Sequence, residues 1–279
     1  MSEKTVQCIY YSASRTTQKI LYKVAEGTGM KILAPIDLTD SKTRKSFNGK
    51  IDGDLTLVGT PVYEGSVPSI AIGPLSKLEG KGKWAVAVGV YGNRSPENYV
   101  SELSGLLRGR GFKIIAGASF VAEHSYTHKK VELETAFGRP DKADLDIAYG
   151  FGEKISKKMN APVELDIESK PLKFGDVYLD KSKWPINKVK GRITVPNYDA
   201  EKCIQCNKCV NVCPVDAVDA STFATDSDAC IRCMACVKVC PSGALDDFVP
   251  SPSIAVDKHL GTGTERTPTL PLTPYSFLH

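Results

Sequence analysis

Residues 203–214 read Cys-Ile-Gln-Cys-Asn-Lys-Cys-Val-Asn-Val-Cys-Pro, and residues 230–241 read Cys-Ile-Arg-Cys-Met-Ala-Cys-Val-Lys-Val-Cys-Pro. Both stretches follow the pattern Cys-x2-Cys-x2-Cys-x3-Cys-Pro, and the second begins 27 residues after the first. Nine of the sixteen positions that begin at Cys203 are identical to those that begin at Cys230. An internal duplication of one metal-binding half is the simplest origin of this repeat.

The spacing of these cysteines has a physical reason. Three cysteines at intervals of three residues wrap one cluster, while the fourth, followed by proline, leaves that loop and reaches the other cluster. We therefore expect two [4Fe-4S] clusters, the first held by Cys203, Cys206, Cys209 and Cys240 and the second by Cys230, Cys233, Cys236 and Cys213. Thiolates also suit zinc. Zinc ribbons, however, typically have two separate Cys-x2-Cys pairs rather than two complete quartets.

Composition agrees with metal ligation. The chain has 279 residues, and eight of its nine cysteines lie between Cys203 and Cys240. The longest mostly apolar stretch, residues 84–91, is too short to cross a bilayer, and the first residues lack the apolar core of a secretion signal. We expect a cytoplasmic protein without a membrane segment, in which clustered cysteines bind metal instead of forming disulfides. Cys8, in an apolar run, is expected to be a buried strand residue.

Charge is unevenly distributed. The stretch 170–192 has seven basic and two acidic residues. It has no nucleic-acid recognition motif, so we expect a solvated linker or a docking face for an acidic redox protein. Protein redox partners are therefore expected, nucleic acid is not, and the oligomeric state stays open.

Upstream of the cysteines, short β-branched runs alternate with helical patterns from residue 5 to about residue 160. This alternation predicts a parallel sheet covered by helices. The predicted strands are residues 6–11, 31–36, 55–59, 84–91 and 113–121, which is the strand number of a flavodoxin-like, doubly wound α/β fold. The predicted helices are residues 16–26, a helix from Pro96 to about residue 110 with Ser95 as N-cap, and residues 141–159. Only a short polar segment, 41–49, stands where the second helix would be.

The first predicted strand leads into a hydroxyl-rich turn and then a helix. Free N–H groups and the helix dipole suit a phosphate at such a place. Serine and threonine also cap helices that bind no ligand. The candidate residues of this turn are Ser12, Ser14, Arg15, Thr16 and Thr17.

Two more loops should emerge beside this turn, because ligands of doubly wound sheets bind at the carboxyl ends of the strands. Tyr63 and Tyr91 offer aromatic faces to a planar ring, although either can be a packing residue. His124, at the end of the fifth strand, is a candidate for contact with the ring or for proton transfer, or is an ordinary surface residue. The loop candidates are Thr60, Pro61, Val62, Tyr63, Gly65, Tyr91, Gly92, Asn93 and Arg94.

The cysteine segment, residues 197–248, resembles a bacterial dicluster ferredoxin, a small α+β domain. Residues 4–160 resemble flavodoxins, and the whole resembles the flavodoxin–ferredoxin fusion proteins of anaerobes, also grouped as iron–sulfur flavoproteins. The matching stretches are residues 58–63, 90–94, 122–125 and 138–141. The resemblance implies FMN, with its phosphate in the turn 12–17 and its ring between the two tyrosine loops. Flavodoxin turns usually read Thr-Gly where this chain has Ser14-Arg15. A positive φ there would strain arginine, whose guanidinium could instead pair with the phosphate.

These expectations divide the chain into four parts: an FMN-binding domain (1–160), a basic, proline-containing linker (161–196), a 2[4Fe-4S] domain (197–248) and a tail rich in proline and threonine (249–279). The leading functional hypothesis is electron relay between soluble redox partners. The alternatives are a flavin-dependent reductase of a quinone or a disulfide, and a redox sensor whose flavodoxin-like domain is empty.

Overall fold

A computed structural model of the chain describes residues 3–93, 95–126, 136–172 and 194–245. In the first part of the chain these residues form one parallel sheet. Its strands are β1 (Thr5–Tyr10), β2 (Lys31–Ile32), β3 (Ile36–Asp37), β4 (Leu55–Pro61), β5 (Trp84–Tyr91) and β6 (Lys113–Val121). The order is β2-β1-β4-β5-β6, and β3 also pairs with β1. This is the flavodoxin-like order 2-1-3-4-5, with the edge position shared by two short strands.

The edge strand departs from the sequence prediction. One strand was expected over residues 31–36, but β2 ends at Ile32 and β3 begins at Ile36. Pro35 lies between them, and proline has no N–H to donate to a sheet ladder. The interruption therefore follows from the sequence, although the prediction did not take it into account.

Five helices accompany the sheet within the described residues: α1 (Thr16–Gly27), α2 (Ser41–Ser46), α3 (Ser69–Leu75), α4 (Tyr99–Gly109) and α5 (Lys142–Lys158). α1 and α5 pack on one face with the side chains of Cys8, Leu57 and Val86, whereas α3 and α4 pack on the other face with Ile9 and Val58. The sheet is thus buried on both sides, as its near-continuous apolar strands require. The buried strand position predicted for Cys8 is confirmed, and burial raises the pKa of its thiol to about 12.

The predicted start of α4 was wrong. The helix begins at Tyr99 after Asn98, rather than at Pro96 after Ser95. Glu97 has φ 46°, which no residue inside a right-handed helix adopts. The Ser95 hydroxyl accepts a hydrogen bond from the Glu97 N–H at 3.1 Å. Serine here closes a local turn that competes with helix initiation.

The cysteine repeat is also a repeat in three dimensions. The short helices α6 (Lys208–Val212) and α7 (Ala235–Val239) occupy equivalent positions of the two halves. Each is preceded by two residues in the left-handed conformation, Gln205 and Asn207 in the first half and Arg232 and Met234 in the second. The duplicated sequence therefore builds the same loop twice.

The segment that follows α5 packs on the sheet domain. Leu165 is buried, and its N–H donates to the Ile114 carbonyl at 2.6 Å. The Arg108 guanidinium donates to the carbonyls of Leu165 and Ile167. The rest of the predicted linker up to residue 193, and the predicted tail, lie outside the described residues. None of the described helices is both long and apolar enough to cross a membrane.

Two cysteine-lined cavities and an adjoining cleft

The eight clustered cysteines line two separate cavities, four cysteines to each. The first centre, as we call one cavity, is lined by Cys203, Cys206, Cys209 and Cys240. The second centre is lined by Cys213, Cys230, Cys233 and Cys236. In the described part of the chain, no three His, Cys, Asp or Glu side chains converge closely enough to hold a single metal ion. Each quartet of cysteines therefore surrounds one cavity.

Backbone amides point at the sulfurs in the same way in both halves. The N–H groups of Gln205 and Arg232 donate to Cys203 Sγ and Cys230 Sγ, each at 3.4 Å. The N–H groups of Ala217 and Ala244 donate to Cys213 Sγ and Cys240 Sγ, each at 3.2 Å. Hydrogen bonds to sulfur stabilise negative charge on a thiolate ligand and tune the potential of a cluster.

The two centres differ in exposure. Cys206 at the first centre is exposed, and Ile204 beside it is 64% exposed. At the second centre Cys230 and Cys236 are buried. Burial raises the pKa of the Cys233 thiol to about 12 and also raises that of Cys236. One centre therefore faces the surface, while the other is enclosed by protein.

A cleft opens at the carboxyl edge of the sheet. Eight of the predicted site residues line it: Ser14, Thr16, Pro61, Val62, Tyr63, Tyr91, Gly92 and His124. The hydroxyls of Ser14 and Thr16 lie 3.1 Å apart at the start of α1. Gly92 is required there, since a Cβ on it would come within 2.5 Å of the His124 ring. The turn and the two tyrosine loops therefore meet at one place.

The other predicted residues support this edge without lining the cleft. Ser12 Oγ accepts from the Gln18 N–H at 3.1 Å, and Thr17 is fully buried. The Thr60 N–H donates to the Tyr99 hydroxyl at 3.1 Å. Gly65 turns the chain at φ 73°, and Asn93 is buried with φ 60°. Arg94 lies outside the described residues.

Arg15 has the positive φ that strains an arginine at this position of the turn. Its φ is 64°, and Nη1 is 2.7 Å from Asp37 Oδ2. The guanidinium thus pairs with a carboxylate of β3. Arg15 makes no side-chain capping hydrogen bond to α1, and the N–H of Gln18 in the first turn donates to Ser12 Oγ instead.

Sequence reasoning missed one wall of the cleft. Ile231, Arg232 and Cys233 of the second cysteine loop line it opposite the sheet, together with Tyr126. Cys233 therefore borders both the cleft and the second centre. No local pattern could have indicated this contact, because the two sides are more than a hundred residues apart in the chain.

Polar contacts hold the cysteine domain against the sheet domain. The Arg44 guanidinium of α2 donates to the Pro214 carbonyl, next to Cys213. Ser41 Oγ donates to Asp216 Oδ1 at 3.1 Å. Lys238 of α7 forms an ion pair with Glu123, and both side chains are about four-fifths buried. Ala235 is buried in the apolar core below. The second centre is therefore held at the mouth of the cleft.

A family model described as the 4Fe-4S dicluster domain matches residues 195–241. This segment is a dicluster iron–sulfur domain. It carries two [4Fe-4S] clusters, and the chain joins this dicluster domain to a flavodoxin-like domain in one polypeptide. No curated protein matches the chain.

Among solved structures, the chain is similar to a flavodoxin from the domain Archaea (16% identity, TM-score 0.40), with 56% of this chain and 99% of that one covered. It is similar to a flavodoxin of Streptococcus pneumoniae TIGR4 (18% identity, TM-score 0.39), with 55% and 99% covered. It also resembles rubredoxin oxygen:oxidoreductase of Desulfovibrio gigas (19% identity, TM-score 0.41), with 56% and 36% covered. The strand order, rather than these values, defines the fold upstream of the dicluster domain.

Proposed function

We propose that this protein transfers electrons between soluble redox partners through two [4Fe-4S] clusters and an FMN bound in the cleft. The supporting observation is that Cys233, a predicted ligand of the second cluster, also lines the cleft. The eight cysteines would hold the clusters in the two sets given above. Clusters supply one-electron steps, whereas a flavin exchanges one or two electrons with a partner.

The residues of the cleft fit FMN. The hydroxyls of Ser14 and Thr16 lie at the start of α1, where the helix dipole favours an anion such as a phosphate. Tyr63 and Tyr91 provide aromatic surface for a planar ring. Arg15 supports this site indirectly, because its pair with Asp37 holds the turn in place.

The protein contributes position and exclusion of water. Ile231 of the dicluster domain and Tyr126 of the flavodoxin-like domain line the cleft and would keep water from this side of the ring. Burial raises the pKa of Tyr63 and of Tyr126, so both phenols stay neutral at physiological pH. His124 Nδ1 accepts a hydrogen bond from the Tyr126 N–H at 3.2 Å, which orients the imidazole at the wall of the cleft. We assign His124 to orienting this wall beside the ring.

An external protein partner would meet the first centre. Ile204 and Cys206 are exposed there, whereas their counterparts in the repeat, Ile231 and Cys233, face the cleft. The second cysteine loop thus lines the cleft, whereas residues 204–206 of the first loop are exposed and can meet a second protein. The proposal further places the protein in a reducing, low-oxygen cytoplasm, because oxygen damages exposed clusters.

The test begins with anaerobic purification and quantification of iron, sulfide and flavin. About eight irons and one FMN per chain are expected. Rapid mixing with a reduced donor should then bleach cluster absorbance before flavin absorbance in the same molecules. Intact clusters without bound flavin would contradict the relay and favour a sensor. Rapid turnover of quinone or disulfide by the loaded protein would favour the reductase.

A further inference from the structure

The two halves of the cysteine repeat differ at a position that bears on the clusters. Gln205 in the first half corresponds to Arg232 in the second. Both residues are left-handed, with φ 53° and 58°, and both donate their N–H to the sulfur of the first cysteine of their loop at 3.4 Å. The two backbones make the same hydrogen bond, so the two positions differ in their side chains.

The Arg232 side chain is held inside the protein. Arg232 is 5% exposed, whereas Gln205 is exposed. Its Nη1 donates to the carbonyls of Ser227 and Cys230 at 2.7 Å each. The residue lines both the second centre and the cleft. A fixed, buried positive charge therefore lies where the second cluster meets the proposed flavin site.

The charges near the first centre are different in kind. Lys202 is paired with Asp199 at 2.6 Å on the surface, and Lys208 is exposed. At the second centre the Arg44 guanidinium, which donates to the Pro214 carbonyl, adds a second partly buried cation. Lys238 is neutralised by Glu123. A buried charge interacts more strongly with a cluster than an exposed charge does, because the dielectric constant inside the protein is lower. Salt also screens the exposed charges.

We propose that Arg232 makes the second cluster a stronger electron acceptor than the first. Reduction adds one negative charge to a cluster, and a buried cation stabilises that charge. A single electron shared by the two clusters then resides at equilibrium on the second one. The first cluster is oxidised, the second is reduced, and neither a proton nor a bond changes place. This inference rests on the proposed cluster binding and assigns a direction, from the surface toward the cleft.

The experiment is a redox titration of the two clusters, followed by electron paramagnetic resonance, on the full chain. Arg232→Gln, which copies the first half, should lower one midpoint potential and leave the other unchanged. The expected loss is about tenfold in electron affinity, which for a one-electron couple is about 59 mV. Arg232→Lys keeps the charge and should retain most of the wild-type value. Gln205→Arg should raise the other midpoint by a smaller amount, because that position is exposed.

Two results would overturn the proposal. One is an Arg232→Gln protein that keeps all its iron and sulfide and has both midpoints unchanged. The other is an Arg232→Lys protein that shifts as far as Arg232→Gln, since shape rather than charge would then matter. If Arg232→Gln loses iron, the Gln205→Arg variant tests the proposal instead. An unchanged midpoint potential of the first cluster in Gln205→Arg would then contradict the charge effect.

The titration is repeated on protein stripped of flavin. The shift between wild type and Arg232→Gln should persist there. Failure of flavin binding therefore contradicts the proposed relay without touching this inference. Conversely, a normal flavin content with unchanged midpoints contradicts the inference alone.

Discussion

Asp40 connects a single hydrogen bond to the contact between the two domains. Its carboxylate accepts from the Thr43 N–H at 2.6 Å and so caps the six-residue helix α2. That helix carries Arg44, whose guanidinium donates to the carbonyls of Leu38 and Pro214. The hydrogen bond to Thr43 also lowers the pKa of Asp40. The capping residue Asp40 thereby stabilises the helix that contacts the dicluster domain.

Replacing Asp40 with Ala should lower the free energy of unfolding by about 1 kcal/mol at pH 7. The pKa of Asp40 is lower in the folded state than in the unfolded state, where it is about 3.9. The charged cap therefore contributes its full stability at any pH well above the unfolded-state pKa. The contribution is lost only as the pH falls through the folded-state pKa. The penalty should therefore stay constant between pH 8 and pH 5, measured by anaerobic urea unfolding.

Asp40→Asn is the matched control. Asparagine caps helices about as well as aspartate, so this variant should keep nearly wild-type stability at pH 7. A loss equal to that of the Ala variant would show that the charge, rather than the cap, matters.

At the scale of elements, α1 and α5 pack unusually closely through two glycines. A Cβ on Gly27 would lie 2.0 Å from the Tyr149 carbonyl oxygen, and one on Gly152 would lie 2.1 Å from the Val24 carbonyl oxygen. The obstructing atoms are backbone, so neither helix can yield without moving as a whole.

Gly27→Ala and Gly152→Ala should each cost about 1–3 kcal/mol in unfolding free energy, because overpacking forces the helices apart. Gly150→Ala is the control on the same helix, since nothing lies within 4 Å of its Cβ position. Alanine is the better helix former by up to about 1 kcal/mol, so Gly150→Ala should be neutral or stabilising. Equal losses in all three variants, measured by chemical unfolding, would contradict this account of the packing.

At the scale of the whole molecule, the contact between the domains brings the second cluster to the cleft. Arg44→Ala removes a half-buried guanidinium that bonds three carbonyls. It should cost about 1–3 kcal/mol and slow the reduction of flavin by the clusters. Lys45→Ala is the control, because its pair with Asp216 is 3.6 Å long and both side chains are exposed. That variant should stay within about 1 kcal/mol of wild type and keep its rate in stopped-flow experiments.

Entry of electrons from a partner depends on the exposed face of the first centre. Ile204→Ser should reduce the second-order rate of electron uptake from a protein donor about tenfold, as expected for an apolar contact worth more than 1 kcal/mol. Val163→Ser is the control, because Val163 is similarly exposed but lies away from the cysteines. This variant should take up electrons from the protein donor at the wild-type rate. Uptake from a small dye should be unchanged in both variants. An equal loss with the dye would mean that the cluster itself was damaged.

Several features could be predicted because they depend on neighbouring residues. β5 and β6 have the predicted bounds, and Asp141, the first residue of the predicted last helix, is the N-cap of α5. α2 was doubtful in sequence because its six residues are polar and only its cap is characteristic. α3 has no clear sequence signature, since Gly73 and Pro74 lie inside it. Short helices stabilised by tertiary contacts have weak local signals.

The sequence by itself determined the cysteine repeat, and the spacing of that repeat was enough to predict two sets of four ligands with an exchanged fourth member. It also determined the alternation that builds a parallel sheet. Only the tertiary structure decided that the second cysteine loop, with Ile231 and Arg232, forms a wall of the cleft. Ligand spacing is local and leaves its mark in a few residues, whereas a contact between domains depends on surfaces that are far apart in the chain.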